Sequence, residues 1–295
     1  MINIAIIWGL IILFILQPGV AHDGAEAGAS LFVSALLPYL LPYIILTQWL
    51  LKMPAPLKKS APWKRFIKAY VLGSFGGFPV GAVTVTEMTK MKELSRQQAG
   101  LLLAACHAPG PMFIIGFVGT ELFGDIRIGW KLLLATHLAN ILFFLITLIF
   151  IKTKVQPDEK HLLATDQNIG MPLLDSLKES SNIIILVATT VIFFSSLGTV
   201  LAHLLSTTFA VDTGLTQTII LSIFEMTTGV QSATYHFSKL AVFPLIIAVI
   251  VSLNGLSIHM QVAVIAKSAR ISIRPYILGR LWSIILVPII FYFLL

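Results

Sequence analysis

Leu103–Gly119 reads LAACHAPGPMFIIGFVG, which sets Pro-Gly-Pro in the middle of an apolar run long enough to cross a bilayer. Pro111 has no amide hydrogen and its ring opposes the carbonyl one turn back, while Pro109 disfavours helix at Ala108. Ala99 to Phe123 is therefore expected as two half-helices joined by an unwound link. Unsatisfied amides in lipid cost several kcal/mol each, so such a link is tolerated only inside protein or beside a wet cavity.

The rest of the chain has the composition for that setting. It is 57% hydrophobic and only 11% charged, with a mean hydropathy of +0.93, far more apolar than a globular domain. Charge-free stretches approaching the length of a membrane helix recur, so the chain reads as an integral membrane protein in the lipid bilayer. The formal charge of +7 comes from Lys and Arg beside hydrophobic segments, as topology determinants are distributed, and not from a nucleic-acid-binding face. A single cysteine, Cys106, excludes an internal disulfide and any multi-thiolate metal site, and suits a small buried filler.

The first segment, INIAIIWGLIILFIL, has no Lys or Arg ahead of it, as a signal peptide should, although Gly19-Val20-Ala21 would pass as a cleavage site. HDGAEAGAS, which follows, is acidic and expected as a loop outside. Further apolar segments run from about Leu31 to Leu51, Tyr70 to Met88, Ala99 to Phe123, Gly129 to Ile151, Asn182 to Leu205, Leu215 to Phe237, Leu240 to Ala266 and Tyr276 to Leu295. The long polar stretch before Asn182 separates two halves. The expected organisation is an N-terminal hydrophobic helix and outside loop at 1–30, a first repeat at 31–151, a cytoplasmic linker at 152–181 and a second repeat at 182–295.

Positive charge gives the orientation. Lys52, Lys58, Lys59, Lys64, Arg65 and Lys68 precede the segment from Tyr70 to Met88, and Lys90, Lys92 and Arg96 follow it. With both flanks cytoplasmic, that segment enters and returns as a re-entrant hairpin. GSFGGFPVGA, residues 73–82, has four Gly and one Pro in ten positions, which suits a tight interior turn. Leu215 to Phe237, with few positive flanks, can re-enter from the other side. Each half then makes three crossings and one hairpin; three is odd, so the halves face opposite ways. Aligning Gly81 with Gly229 sets FGGFPVGA against IFEMTTGV, and nearly the same offset sets HAPGPMF against SLNGLSI. The expected fold is all-α and polytopic, with two inverted repeats, each holding a re-entrant hairpin and a discontinuous helix.

The second discontinuous helix is expected to break at Asn254-Gly255, with Ser257, His259 and Gln261 beyond it. At such breaks half-helix N-termini present free amides to anions and unwound carbonyls face cations, so paired breaks suit a solute site. Glu225 would cost at least about 2.5 kcal/mol near the bilayer centre, which argues for a cavity or a partner; Thr227, Thr228 and Gln231 follow it with groups for hydrogen bonds. Glu87 beside Lys90 reads as a solvated ion pair. His259 suits either a proton carrier or substrate contact or a packed histidine. His107 and His137 lack a partner histidine at helical spacing and do not suggest a metal, and Arg280 is expected to snorkel toward the cytoplasmic face. No G-x-x-x-x-G-K-[ST] is present, which excludes hydrolysis-driven pumping by this chain, and no Ser/His pair points to an enzyme.

LLPYLLPYIIL (36–46), GGFPVGA (76–82), PGPMFIIGFVG (109–119), FEMTTGVQ (224–231), NGLSIHMQVAVI (254–265) and RPYILGRL (274–281) resemble the YlbJ-type sporulation integral membrane proteins, within the wider nucleoside-recognition (Gate) domain group. The resemblance covers nearly the whole chain from Leu31 onward. It implies a fold like the concentrative nucleoside transporters and a secondary transporter active in endospore formation, with dipicolinate moved from mother cell toward forespore, in a bacterial cell membrane or the outer forespore membrane. Carried over, it implies solute-binding positions at Gly77, Pro79 and Gly81 in the first hairpin and at Glu225, Thr228 and Gly229 in the second. Those at the breaks are Pro109, Gly110, Asn254, Gly255, Ser257, His259 and Gln261. Ala108 after His107 departs from the Asn or Ser expected before Pro-Gly-Pro. A nucleoside substrate and a non-transporting scaffold for spore-envelope assembly are the competing readings. No cofactor is expected beyond a coupling ion, Na+ or H+, and a homo-oligomer is compatible with the chain.

Overall fold

The computed structural model describes residues 2–53, 62–150 and 172–295, and among them every regular element is a helix. In chain order these are α1 (Ile2–Leu16), α2 (Pro18–Leu31), α3 (Leu37–Lys52), α4 (Pro62–Gly76), α5 (Phe78–Lys90) and α6 (Arg96–Ala105). There follow α7 (Ile126–Phe150), α8 (Pro172–Phe209), α9 (Thr213–Phe224), α10 (Met226–Phe237), α11 (Phe243–Leu253), α12 (Gly255–Ser268) and α13 (Arg274–Leu294). Among the described residues, five stretches are long and apolar enough to cross a membrane: Pro18–Lys52, Ile126–Ile149, Pro172–Phe209, Phe243–Ser268 and Arg274–Leu294. The described residues are all-α, and the candidate spans make the chain a polytopic membrane protein.

Two wide, π-type stretches sit next to prolines. Phe32–Leu36 joins α2 to α3 just before Pro38, and Phe113–Leu122 follows Pro111. A proline ring cannot pass the carbonyl one turn back and withholds its own N–H, so the ladder widens locally instead of continuing in α register. The Phe113–Leu122 stretch then lies against α7 closely enough that an added Cβ at Gly119 would come within 2.8 Å of Gly129 Cα.

Residues 18–31 correct the expected outside loop. They form α2, which packs along α8 through a face of small residues. A Cβ on Gly24 would lie 2.9 Å from Ser196 Cα, and one on Gly28 would lie 2.7 Å from Ser195 Oγ. Ser196 Oγ donates to the Ala21 carbonyl at 2.6 Å. Backbones approach this closely only where side chains are small, which is how membrane helices gain contact in the absence of a hydrophobic drive. Asp23 and Glu26 stay on the exposed face, so the acidic composition that suggested a loop belongs to one side of a helix.

Lys52 Nζ reaches Glu179 at 2.8 Å, so α2–α3 and α8 run antiparallel. α8 has 38 residues, about 57 Å at 1.5 Å per residue, and exceeds the apolar segment from Asn182 to Leu205 at both ends. Residues 172–181 of the expected linker are its first turns, where Ser180 Oγ donates back to the Ser176 carbonyl at 2.6 Å. Linker residues 152–171, like Lys58 and Lys59, lie outside the described residues.

Both segments expected as hairpins fold as antiparallel helix pairs. α4 and α5 are antiparallel: a Cβ on Gly73 would meet Gly81 Cα at 3.1 Å near the tip. At the base, Arg65 Nη1 donates to the Glu93 carbonyl at 2.8 Å and Lys68 Nζ reaches the Glu93 carboxylate at 3.3 Å. The chain thus returns to where it entered. α5 buries every residue from Phe78 to Met88 except Glu87, which pairs with Lys90 at 2.8 Å as expected. α9 and α10 repeat the geometry, with Thr218 Oγ1 and Ser232 Oγ 2.9 Å apart and Gln217 Oε1 3.3 Å from His236 Nε2.

Candidate functional site

Four interruptions of helix meet in the interior. Gly77, between α4 and α5, has φ +87°, a backbone that favours glycine, and a Cβ there would lie 3.2 Å from the Gly110 amide. Pro79 opens α5, and Gly81 lies so near the end of α6 that a Cβ would come 2.6 Å from the Cys106 carbonyl. The first hairpin tip therefore sits on the link between α6 and Pro111, where residues 107–110 are non-helical. Cys106, fully buried, ends α6 and fills space as expected.

The second tip sits on the second break. Asn254 ends α11 in left-handed conformation at φ 72°, and Gly255 follows at φ 67°. A Cβ on Gly255 would lie 3.0 Å from the Met226 amide, so α12 starts against the start of α10. Glu225 is extended, at φ −142° and ψ 119°, and interrupts α9–α10 without a glycine. Its Oε2 accepts from the Thr228 amide at 2.7 Å and lies 3.3 Å from the Thr228 hydroxyl; Oε1 is 3.5 Å from Ser257 Oγ. The carboxylate is thus the N-cap of α10 and lies within reach of the first turn of α12. Two helix N-termini favour one negative charge there, which offsets the cost of burying a side chain only 1% exposed. Thr227 Oγ1 is buried beside it with no partner among the described residues.

The two breaks are tied together by polar side chains. With its amide oriented so that Nδ2 donates to the Val251 carbonyl at 2.7 Å, Asn254 Oδ1 lies 3.3 Å from both Arg280 Nη1 and His107 Nε2. His107 Nε2 is also 3.4 Å from the Tyr276 hydroxyl, which is 2.8 Å from His259 Nδ1. Asn140 of α7 donates to the His107 carbonyl at 3.3 Å and anchors the first link. Gln261 Nε2 donates to Thr190 Oγ1 at 2.9 Å and fixes α12 to α8.

Most of the expected positions converge: Gly77, Pro79, Gly81, Pro109 and Gly110 on one side, Glu225, Thr227, Thr228, Gly229, Asn254, Gly255 and Ser257 on the other. Gly229 is the point of closest approach within its hairpin, where a Cβ would lie 2.5 Å from Ser222 Cα. Gln231 is apart from them. Thr228, Gly229, Ser232 and Ala233 form the inward face of α10, and the helical turn carries Gln231 to the exposed side. His259 is half-buried at the edge of the cluster and bonds to protein, as a packed histidine does.

Arg280 corrects its expectation of snorkelling. It is 4% exposed and points inward, with Nη2 donating to the Ala104 carbonyl at 3.2 Å and its guanidinium 5.7 Å from the centre of the Tyr276 ring. The cause is the phase of α13: Tyr276, Gly279, Arg280, Ser283, Val287 and Phe291 form one buried stripe, and a Cβ on Gly279 would lie 2.9 Å from Ala104 Cβ. That spacing was the available signal, since Arg280 follows Tyr276 by four residues and precedes Ser283 by three. His107, Tyr276 and Asn140 carried no comparable mark in the sequence. The arrangement gathers amides, hydroxyls, a carboxylate and a guanidinium around unwound backbone.

Among curated proteins, the chain is similar to the sporulation integral membrane protein YlbJ of Bacillus subtilis (strain 168), 23% identical over 312 residues that cover 90% of this chain and 75% of the relative. The resemblance to YlbJ-type proteins expected from the motifs is borne out at that distance, and with the apolar helices it places the chain in a membrane. No family model matches the chain, and no solved structure matches it.

Proposed function

We propose that the chain is a secondary transporter of a small anionic solute in a sporulating bacterium, with dipicolinate as the leading substrate, and that it is not an enzyme. One observation carries this reading: four helix interruptions, two at hairpin tips and two in the α6–Pro111 and α11–α12 segments, face one another in pairs within a membrane protein. Broken backbone in a membrane protein is tolerated where protein or a wet cavity surrounds it, and breaks paired in this way are the arrangement that secondary transporters use for a solute site. The pairing of hairpin and break in each half fits an inverted repeat of the Gate type, with the two tips as moving parts. The relative's name, a sporulation integral membrane protein, supports the setting. A coupling ion, Na+ or H+, would supply the driving force, and the protein would act as a monomer or homo-oligomer in the cell membrane or the outer forespore membrane.

The test is uptake by proteoliposomes of labelled dipicolinate and, in parallel, a labelled nucleoside. The native protein is expected to accumulate dipicolinate and not the nucleoside, and Glu225→Ala and Asn254→Ala each to cut the rate at least about tenfold, roughly the loss of one charge-assisted hydrogen bond. Nucleoside uptake alone would transfer the reading to that substrate. No uptake of either by well-inserted protein would favour the envelope scaffold.

A further inference from the structure

Arg280 carries a permanent positive charge in the polar cluster between the breaks, and no acidic side chain among the described residues pairs with it. Its Nη2 has a carbonyl partner and its Nη1 faces Asn254, yet its Nε is buried and has no partner among the described residues. It sits about 9 Å along α13 from the first residue, close enough to the helix end for a long side chain to turn outward, yet the packing of Gly279 on Ala104 turns it in. Burying a guanidinium costs several kcal/mol unless an anion answers it, and its planar fork of donors matches a carboxylate in a bidentate pair. Glu225, the buried acid packed against Gly255 at the second break, is already engaged by Thr228 and Ser257. Flat rings cluster near the guanidinium: Tyr276 lies 5.7 Å from it, and His107 lies 4.8 Å, edge-on, from the Tyr276 ring and 5.0 Å from the Phe78 ring.

We infer that Arg280, with Tyr276 and His107 as its walls, is the anchor for the carboxylate of a small planar acid, and that this charge gives the protein its preference for anions over neutral solutes. The inference rests on the transporter reading for its role in uptake, but the binding it describes stands without transport. Arg280 holds the carboxylate through Nε and one Nη, Asn254 keeps the other Nη in place, and the rings confine the acid's own ring.

Binding decides it. The full chain is reconstituted in lipid nanodiscs, and binding of labelled dipicolinate is measured with two unlabelled competitors, benzoate and the neutral diamide of dipicolinate. Native protein is expected to bind dipicolinate, to release it to benzoate and to keep it against a hundredfold excess of the diamide. Arg280→Gln should weaken binding at least about thirtyfold, and Arg280→Lys, which keeps the charge but loses the fork, by an intermediate factor. Competition by the diamide as strong as by benzoate would overturn the inference without any variant, so poor folding of Arg280→Gln cannot protect it. So would native-like affinity in a folded Arg280→Gln, or failure of the native protein to bind either acid. Arg280-dependent binding without uptake in proteoliposomes would leave the anchor in place and remove the transporter; uptake indifferent to Arg280 would do the reverse.

Discussion

The two hairpins make the same turn with different chemistry. In the first, Gly77 takes a backbone that favours glycine, the returning arm α5 is buried all round, and the contact with the facing break is backbone against backbone at Gly110. In the second, Glu225 needs no unusual φ. It ends α9 in extended conformation, and its own carboxylate caps α10, whose outer face stays exposed at Gln231 and Tyr235. A break in a buried helix can thus be made by removing side chains or by supplying one that replaces the lost hydrogen bonds. The first solution leaves no polar side chain at the junction, while the second leaves a carboxylate there.

Several substitutions would break or sharpen that contrast. The largest effect is expected where two backbones touch in the second hairpin: Gly229→Val should cost about 3 kcal/mol or more, because neither Ser222 Cα nor the helix carrying it can give way. Thermal unfolding in detergent measures it, with Gly9→Ala, which meets nothing within 4 Å, as the unaffected control. Equal unfolding temperatures would show that the hairpin arms are not held by close packing.

Next come the two tips. Gly77→Ala should lose about 1–3 kcal/mol of stability, since its φ of +87° strains any side chain. Glu225→Ala should lose only about 1 kcal/mol, the worth of an N-cap, while removing far more uptake than Gly77→Ala does per unit of stability lost. If the two variants lose stability and uptake in the same proportion, the division between a structural tip and a chemical one fails.

Asn254 separates backbone from side chain at the second break. Asn254→Gly keeps the left-handed turn at φ 72° and loses only the contacts to Arg280 and His107, whereas Asn254→Ala adds about 1 kcal/mol of backbone strain. Alanine should therefore unfold at the lower temperature, with uptake equally impaired in both. The smallest effect belongs to the hydroxyl pair in the second hairpin: a double-mutant cycle on Thr218→Ala and Ser232→Ala should give a coupling of about 0.6 kcal/mol, and a value of zero would leave the arms joined by packing alone.

Much of this was legible in the letters. Pro109 and Pro111 forbid a continuous helix, the glycines of residues 73–82 demand a turn, and basic residues on both flanks bring the first hairpin back to its own side. These are local constraints, set by the covalent form of proline and glycine and by the cost of charge in lipid, and they hold whatever the rest of the chain does. They fixed the membrane setting, the positions of the breaks and the rarity of Glu225. Which way a helix faces is a different kind of fact. Gln231 was expected inside and lies outside, Arg280 was expected at the lipid edge and lies inside, and the acidic stretch 22–30 is helical because α8 offers it a groove of small residues. Rotation about a helix axis is decided by the neighbour it packs against, and in an apolar chain the hydrophobic pattern that would report that rotation is nearly uniform around the helix. The sequence by itself determined where the backbone must break; only the packed structure decided what those breaks face.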